Sequence, residues 1–339
     1  MSEMTRAIEA SGLVKTYPGG VRALDGLSFE VEAGTVFGML GPNGAGKSTT
    51  VKILTTLSRP DEGQARVGGF DILRQPDRVR RTIGVVAQRS GVDKEATGRE
   101  NLRLQGQLFG MGRRELERRA SELLERSGLA EAADRIVRTY SGGMQRRLDI
   151  ALGLIHRPQI LFLDEPTTGL DPEVRAGMWE EIRRLASEEG ITVLLTTHYL
   201  EEADRLGRRL VIVDRGRIVA EGEPEELKGE LRGDAISIEL QDSESNGRVT
   251  HALGGVGEVR DVSVDGRSLR TRADDGARAV PIVLQTLEAS GVRVASVTVA
   301  RPSLDDVYLR YTGRTFSQAE QQSPEGDPNE NKEKKEARR

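Results

Sequence analysis

Short apolar runs alternate with amphipathic stretches from the start of the chain to about Lys228. Val36 to Leu40, Ile160 to Leu163 and Ile191 to Leu195 are brief and almost continuously apolar. Strands buried on both faces read this way, because neither face is left to water. Gly12 to Val31 alternates more and carries turn residues, which predicts antiparallel strands along one edge. From Gly98 to about Arg157 the period is helical. Leu116, Ala120, Leu123 and Leu124 fall at i, i+4, i+7 and i+8 on one face, and the charges between them form a solvated face. Near Leu210 the pattern gives a strand, the turn Asp214-Arg215-Gly216-Arg217, and a second short strand to Ala220. Residues 1–228 therefore predict a layered α/β domain.

A second unit follows, over residues 229–316. Its order is a strand (Ile236 to Leu240), a helix near Val249, two strands through Val259 to Thr271, a helix (Ala279 to Ser290) and a strand (Val292 to Val299). That order resembles a split β-α-β unit, a small α+β domain. Residues 317–339 hold Gln, Ser, Pro, Glu and Lys with almost nothing apolar, which predicts a disordered tail. Each motif described below occurs once, so no internal repeat is expected.

Composition narrows the classes. A chain of 339 residues suits two domains. Lys and Arg number 50 against 54 Asp and Glu, a net charge of -4, so no nucleic-acid partner is expected. The absence of cysteine excludes disulfides, thiolate zinc sites and a cysteine nucleophile, and fits a reducing cytosol. No apolar run approaches the ~18–20 residues that span a bilayer. Met1 to Ala10 carries Glu3 and Glu9 and lacks the apolar core of a secretory signal. The expectation is a cytoplasmic protein, with any membrane crossing supplied by another polypeptide.

Gly41-Pro42-Asn43-Gly44-Ala45-Gly46-Lys47-Ser48 matches the phosphate-loop pattern in full, between a buried strand and a helix with Ile53, Leu54 and Leu57 turned inward. Glycines let the main chain close around phosphate oxygens. The loop N–H groups and the helix start face the anion, Lys47 adds positive charge, and Ser48 offers a hydroxyl to Mg²⁺. Leu161-Phe162-Leu163-Asp164-Glu165 reads as a buried strand ending in two carboxylates. By itself this is often a strand entering an acidic loop. Beside a phosphate loop, Asp164 can hold the magnesium shell and Glu165 can polarise a water in line with the γ-phosphate. His198 follows Ile191 to Leu195 and Thr196-Thr197, where a histidine can reach the γ-phosphate. His156 and His251 read as ordinary surface histidines.

Tyr140-Ser141-Gly142-Gly143-Met144-Gln145-Arg146-Arg147 opens a further helix, with Leu148, Ala151, Leu152 and Ile155 as its buried stripe and Pro158 beyond its end. Ser141 is an N-cap, and the small residues beside it leave a second helix start open to an anion.

Loop 41–49, which ends in Thr49, Ser141-Gly142-Gly143-Met144-Gln145, Asp164-Glu165-Pro166, Gly169-Leu170-Asp171 and His198 follow one another in the order found in ATP-binding-cassette ATPases, which this chain resembles over roughly two thirds of its length. The resemblance implies a P-loop NTPase cassette: a RecA-like core, an antiparallel β edge and a helical subdomain. It implies that Tyr17 stacks on adenine and that Gln88 contacts Mg²⁺ and senses the γ-phosphate. Glu165 is then the catalytic base, and Asp171 communicates across a dimer. It further implies a head-to-tail homodimer, each ATP lying between loop 41–49 of one copy and Ser141, Gly142 and Gly143 of the other. Glu100-Asn101-Leu102 and Arg301-Pro302-Ser303-Leu304-Asp305-Asp306-Val307-Tyr308 resemble the daunorubicin-type drug exporters, although a Pro-Ser helix start also reads as a plain N-cap. This implies the ATPase half of an exporter of drug-like compounds, peripheral on the inner face of the cell membrane and working with a separate permease. The rival readings are an importer's ATPase, a regulatory module that binds ATP without transport, and a soluble ATPase for DNA repair or ribosome work. This chain has neither the tandem cassettes nor the long coiled-coil insertions usual in that last class.

Overall fold

The computed structural model of the protein describes residues 6–231, 233–242 and 246–322. They fall into two units, one reaching to Glu223 and including residues from Ala319, the other running from Pro224 to Gln318.

In the first unit a six-stranded sheet has the order 217–222, 209–214, 36–40, 192–197, 160–164, 83–86. All neighbours run parallel except the hairpin Arg209–Asp214 with Arg217–Gly222. Alternate residues of its strands serve different cores. Phe37, Met39, Phe162 and Leu194 face one cluster, and Val36, Leu161, Leu163, Val193 and Leu195 face the other. That two-sided burial is why these runs are apolar without a break.

The alternating N-terminal segment forms its own sheet, not an edge of the parallel one. Its order is 21–32, 6–17, 62–67, 70–71. Ile8, Leu13, Leu27 and Phe29 pack in one cluster with Phe37 and Met39 of the parallel sheet, so the half-buried pattern had a sheet to cover. The helices Gly98–Leu108, Arg113–Arg126 and Gly142–Leu154 join the cluster on the other face through Leu102, Leu116, Ala120, Leu123, Leu148 and Ala151.

Two expectations in this unit fail for local reasons. The helix after the phosphate loop is Lys47–Leu54, and the chain reverses at Thr56, with φ of +65°. Leu57 therefore lies beyond the helix and is 74% exposed. His156 is not an ordinary surface histidine. Its ring stacks on Phe109 at 3.7 Å, its Nε2 lies 2.9 Å from the Ile83 carbonyl, and burial lowers its pKa.

In the second unit the strands Asp234–Leu240, Val259–Asp265, Ser268–Ala273 and Val294–Ala300 form one antiparallel sheet of order 259–265, 268–273, 234–240, 294–300. Val249 and Leu253 of the helix Asn246–Leu253, and Ala279, Val283 and Leu287 of the helix Gly276–Ala289, pack with Ile236, Ile238 and Leu269. Ser303 caps the helix Leu304–Thr312 in a reciprocal pair with Asp306. The expected disorder from residue 317 meets a helix instead, over Phe316–Gln322. Phe316 packs edge-on against Tyr308 at 5.0 Å, Ala319 is buried, and Thr315 and Gln318 satisfy each other's main-chain N–H groups. The rest of the expected tail, residues 323–339, lies outside the described residues.

Candidate functional site

The parallel strands end together. Leu40, Val86, Asp164 and Thr197 close four of them, so the segments that follow share the C-terminal edge where open α/β sheets collect ligands. Loop 41–46 leaves the first and turns into the helix Lys47–Leu54. Gly46 has φ of +111°, and a Cβ there would stand 2.6 Å from the Ala23 carbonyl oxygen. No other residue fits both demands. A Cβ on Gly41 would meet the Val213 carbonyl oxygen at 2.4 Å. The loop is thus pinned against its neighbours, with its N–H groups and the helix start as its polar face.

Side chains from four segments converge on this loop. Lys47 Nζ donates to the Gly41 carbonyl at 2.8 Å and the Pro42 carbonyl at 3.1 Å, and lies 3.4 Å from Glu165 Oε1. Burial lowers its pKa against the pull of Glu165 and Asp164. Ser48 Oγ donates to Asp164 Oδ1 at 3.2 Å. Gln88 Nε2 donates to Glu165 Oε2 at 3.1 Å, and His198 Nδ1 stands 3.2 Å from the same oxygen. Burial would raise the Glu165 carboxyl, but His198 and Lys47 outweigh it and hold the group below the usual carboxylate range. Glu165 is therefore ionised at neutral pH, with both oxygens aimed at donors.

Glu165 also carries a φ of +47°, left-handed backbone that a residue with a side chain adopts only when its surroundings enforce it. Thr196, unassigned by sequence reasoning, is one enforcer. Its Oγ accepts from the Glu165 N–H at 3.1 Å and donates to Asp164 Oδ1 at 2.5 Å. Thr168 Oγ1 donates to Glu165 Oε2 at 3.3 Å. The sequence signal for Thr196 is its place near the end of a buried strand, two residues before His198.

The remaining expected residues stand apart from this cluster. Ser141 caps the helix Gly142–Leu154 by accepting from the Met144 N–H at 3.2 Å, and both Ser141 and Gly142 are exposed. A Cβ on Gly142 would meet nothing within 4 Å, whereas one on Gly143 would meet Val174 Cγ1 at 2.6 Å. Asp171 is exposed and caps the helix Pro172–Ser187 by accepting from Val174 N–H at 3.0 Å. Tyr17 closes the strand Arg6–Tyr17, half-buried, with Lys15 Nζ 5.9 Å from its ring centroid. So Lys47, Ser48, Gln88, Asp164, Glu165 and His198 are brought together, while Ser141, Gly142 and Asp171 are exposed, Tyr17 is half-buried and Gly143 is buried against Val174. Among the described residues no group of three or more His, Asp or Glu is placed to hold a metal ion. Ser48 Oγ and Asp164 Oδ1 are instead paired hard donors of the kind that Mg²⁺ takes singly, beside phosphate and water.

Known proteins share these features. Residues 24–168 match the ABC transporter family model, and residues 222–312 match the model of the DrrA1-3-like ATP-binding protein C-terminal domain. The chain is 48% identical over 318 residues to the daunorubicin/doxorubicin resistance ATP-binding protein DrrA of Streptomyces peucetius, covering 92% of this chain and 94% of that one. It is 37% identical to the linearmycin resistance ATP-binding protein LnrL of Bacillus subtilis, covering 91% of this chain and 99% of that one. The fold matches a dimeric ATP-binding cassette solved in a post-hydrolysis state with ADP and Pi, with a TM-score of 0.59 and 28% identity over 64% of this chain and 98% of that one. A phosphate loop with its lysine buried, an ionised carboxylate beside it and relatives matched along nearly their whole length lead to one assignment: the chain belongs to the ABC transporter ATPases, in the group of the DrrA-type resistance ATP-binding proteins.

Proposed function

We propose that this ATPase powers the efflux of drug-like compounds through a separately encoded membrane subunit, acting as a head-to-tail homodimer on the inner face of the cell membrane. The observation that carries the reading is the division of the site. One helix start lies in a complete cluster around Lys47 and Glu165, while the other, at Ser141, is exposed and has no catalytic group bonded to it. A second copy, turned head to tail, sets the open start of each chain against the ATP held by the other. The dimeric relative supports the pairing of two copies.

In this reading loop 41–49 and Lys47 bind the β- and γ-phosphates, and Tyr17 stacks on the adenine. Ser48, Asp164 and the Gln88 side-chain oxygen would hold Mg²⁺, which would supply neutralisation of phosphate charge. Glu165 accepts a hydrogen bond from the attacking water and orients it in line with the γ-phosphate. His198 and Gln88 fix Glu165 and report the γ-phosphate, and Asp171 communicates with the other copy. Phosphoryl transfer demands mostly such positioning and charge stabilisation.

Among the described residues no helix is long and apolar enough to cross a membrane, so the work of the cycle is delivered to another chain. Residues 87–97 follow the strand Ile83–Val86, and Arg89, Ser90, Gly91, Asp93, Lys94 and Glu95 are exposed, a surface on which a membrane subunit can seat. The drug class comes from the resistance functions named for DrrA and LnrL. The test is capture of the full chain from membranes with crosslinkers placed at Arg89 to Thr97. A multi-span protein is expected, and a host lacking both genes should become sensitive to anthracycline-like compounds. Unchanged resistance with a lost nutrient uptake would replace export by import.

A further inference from the structure

We propose that Arg146 is a positioning residue that sets the geometry of Glu165 and Gln88 from the signature helix Gly142–Leu154. Arg146 lies one turn into that helix and is 7% exposed. Its Nε donates to the Pro166 carbonyl at 2.7 Å, its Nη2 to the Asp164 carbonyl at 3.1 Å, and its Nη1 to the Ala87 carbonyl at 2.7 Å. The first two carbonyls flank Glu165, and the third precedes Gln88. One guanidinium therefore grips the main chain on both sides of the carboxylate and at the start of the glutamine segment.

Glu165 needs that grip. Its left-handed φ of +47° persists only where the surroundings over-determine it. Thr196 holds its N–H from one side, and Arg146 holds the two carbonyls beside it. Asp149, three residues further along the same helix, accepts from the Gly91 N–H at 3.0 Å. Residues i and i+3 share a helix face, so this face clasps the glutamine segment before and after Gln88. Gln88 and Glu165 then meet at 3.1 Å. The planar fork of arginine is suited to three acceptors in fixed directions, whereas the flexible ammonium of lysine is not. The helix that starts at Ser141 cannot shift without carrying both residues with it.

The inference rests on Glu165 and Gln88 acting at the γ-phosphate, as proposed above. Its test uses the full-length purified chain with Arg146→Lys and Arg146→Gln. The expected result is a fall in kcat of about 10–100-fold, the scale of a misplacement near 1 Å, with the KM for ATP almost unchanged. In a Glu165→Gln background the same substitution should have little further effect, because a residue acting through Glu165 is not additive with it. Amide exchange at Gln88 to Val92 and Asp164 to Thr168 should quicken in Arg146→Lys, a readout that needs no turnover. Wild-type kcat in the folded fraction overturns the inference, whether or not thermal stability falls. So does an equal loss of rate in both backgrounds, or unaltered exchange in those two segments. Near-normal turnover by Glu165→Gln alone removes Glu165 as the base, and the inference falls with it.

Discussion

Two glycine-bounded helix starts in the first unit have the same electrostatic character and opposite surroundings. At Lys47 the start is enclosed: the lysine is 4% exposed, loop carbonyls and Glu165 satisfy it, and Ala23 and Val213 press on its glycines. At Ser141 the start is exposed, and beside Gly142 there is open space. A helix N-terminus attracts an anion in either setting. Only the enclosed one has a carboxylate, a glutamine and a histidine gathered on it. An exposed helix start with no chemistry of its own, on the same helix as the proposed positioning residue Arg146, is what the proposed pairing requires, in which a second copy supplies the missing half.

That comparison breaks most sharply at Glu165. Glu165→Gln should bind ATP yet lose on the order of 10²–10⁴ in turnover, and gel filtration should show an ATP-bound dimer. Lys47→Ala should instead lose binding itself, measured with a fluorescent ATP analogue. Near-normal hydrolysis by Glu165→Gln would remove the asymmetry between the two starts.

The next effect is at the open start. Ser141→Arg places a bulky cation where an anion should dock. Each chain should still bind ATP through loop 41–49, while hydrolysis falls on the order of 10²-fold, comparable to losing one preorganised donor. Hydrolysis at the wild-type rate would mean that Ser141 does not act on ATP held by another copy.

Neighbouring glycines sharpen the contrast without chemistry. Gly143→Ala drives a methyl into Val174 and should cost about 1–3 kcal/mol in urea unfolding. Gly142→Ala meets nothing and should stay within about 0.5 kcal/mol. Equal costs would mean that the open start is less open than its geometry.

The smallest effect is a pH dependence confined to the enclosed start. The folded pKa of Glu165 lies below its ordinary value, so between the two the unfolded chain binds more protons. Its contribution to stability is complete above the unfolded value, about 4.3, and is lost as pH falls through the folded one. The difference in Tm between wild type and Glu165→Gln should therefore be constant above the unfolded value and shrink as pH falls below it. A difference independent of pH would place the carboxylate in no ionised cluster.

Much of this site was legible in the sequence because its parts obey local rules. A phosphate loop needs its glycines and lysine within eight positions, and a buried strand ending in Asp164-Glu165 marks its own C-terminal edge. Ser141 and Asp171 are caps with short-range partners, Met144 and Val174. Thr196 and Arg146 escaped notice because their partners are remote. Thr196 acts across a strand pair, and Arg146 reaches carbonyls 18 to 59 positions away. Main-chain carbonyls are the same at every position, so a side chain that grips them leaves no matching residue to read. The helix Phe316–Gln322 escaped because polar composition dominated the segment, although Thr315 and Gln318 have capping-box spacing.

The sequence by itself determined the chemistry: which residues can face phosphate, which strand carries the carboxylates, and which helix offers a second anion site. Spacing and periodicity are properties of the chain, and they survive without coordinates. The tertiary structure alone decided that the alternating segment forms a separate sheet, that Leu57 faces water, and that Glu165 sits in a left-handed turn between Thr196 and Arg146. Those outcomes depend on what lies across the core from each residue, and burial against a distant partner has no period along the chain.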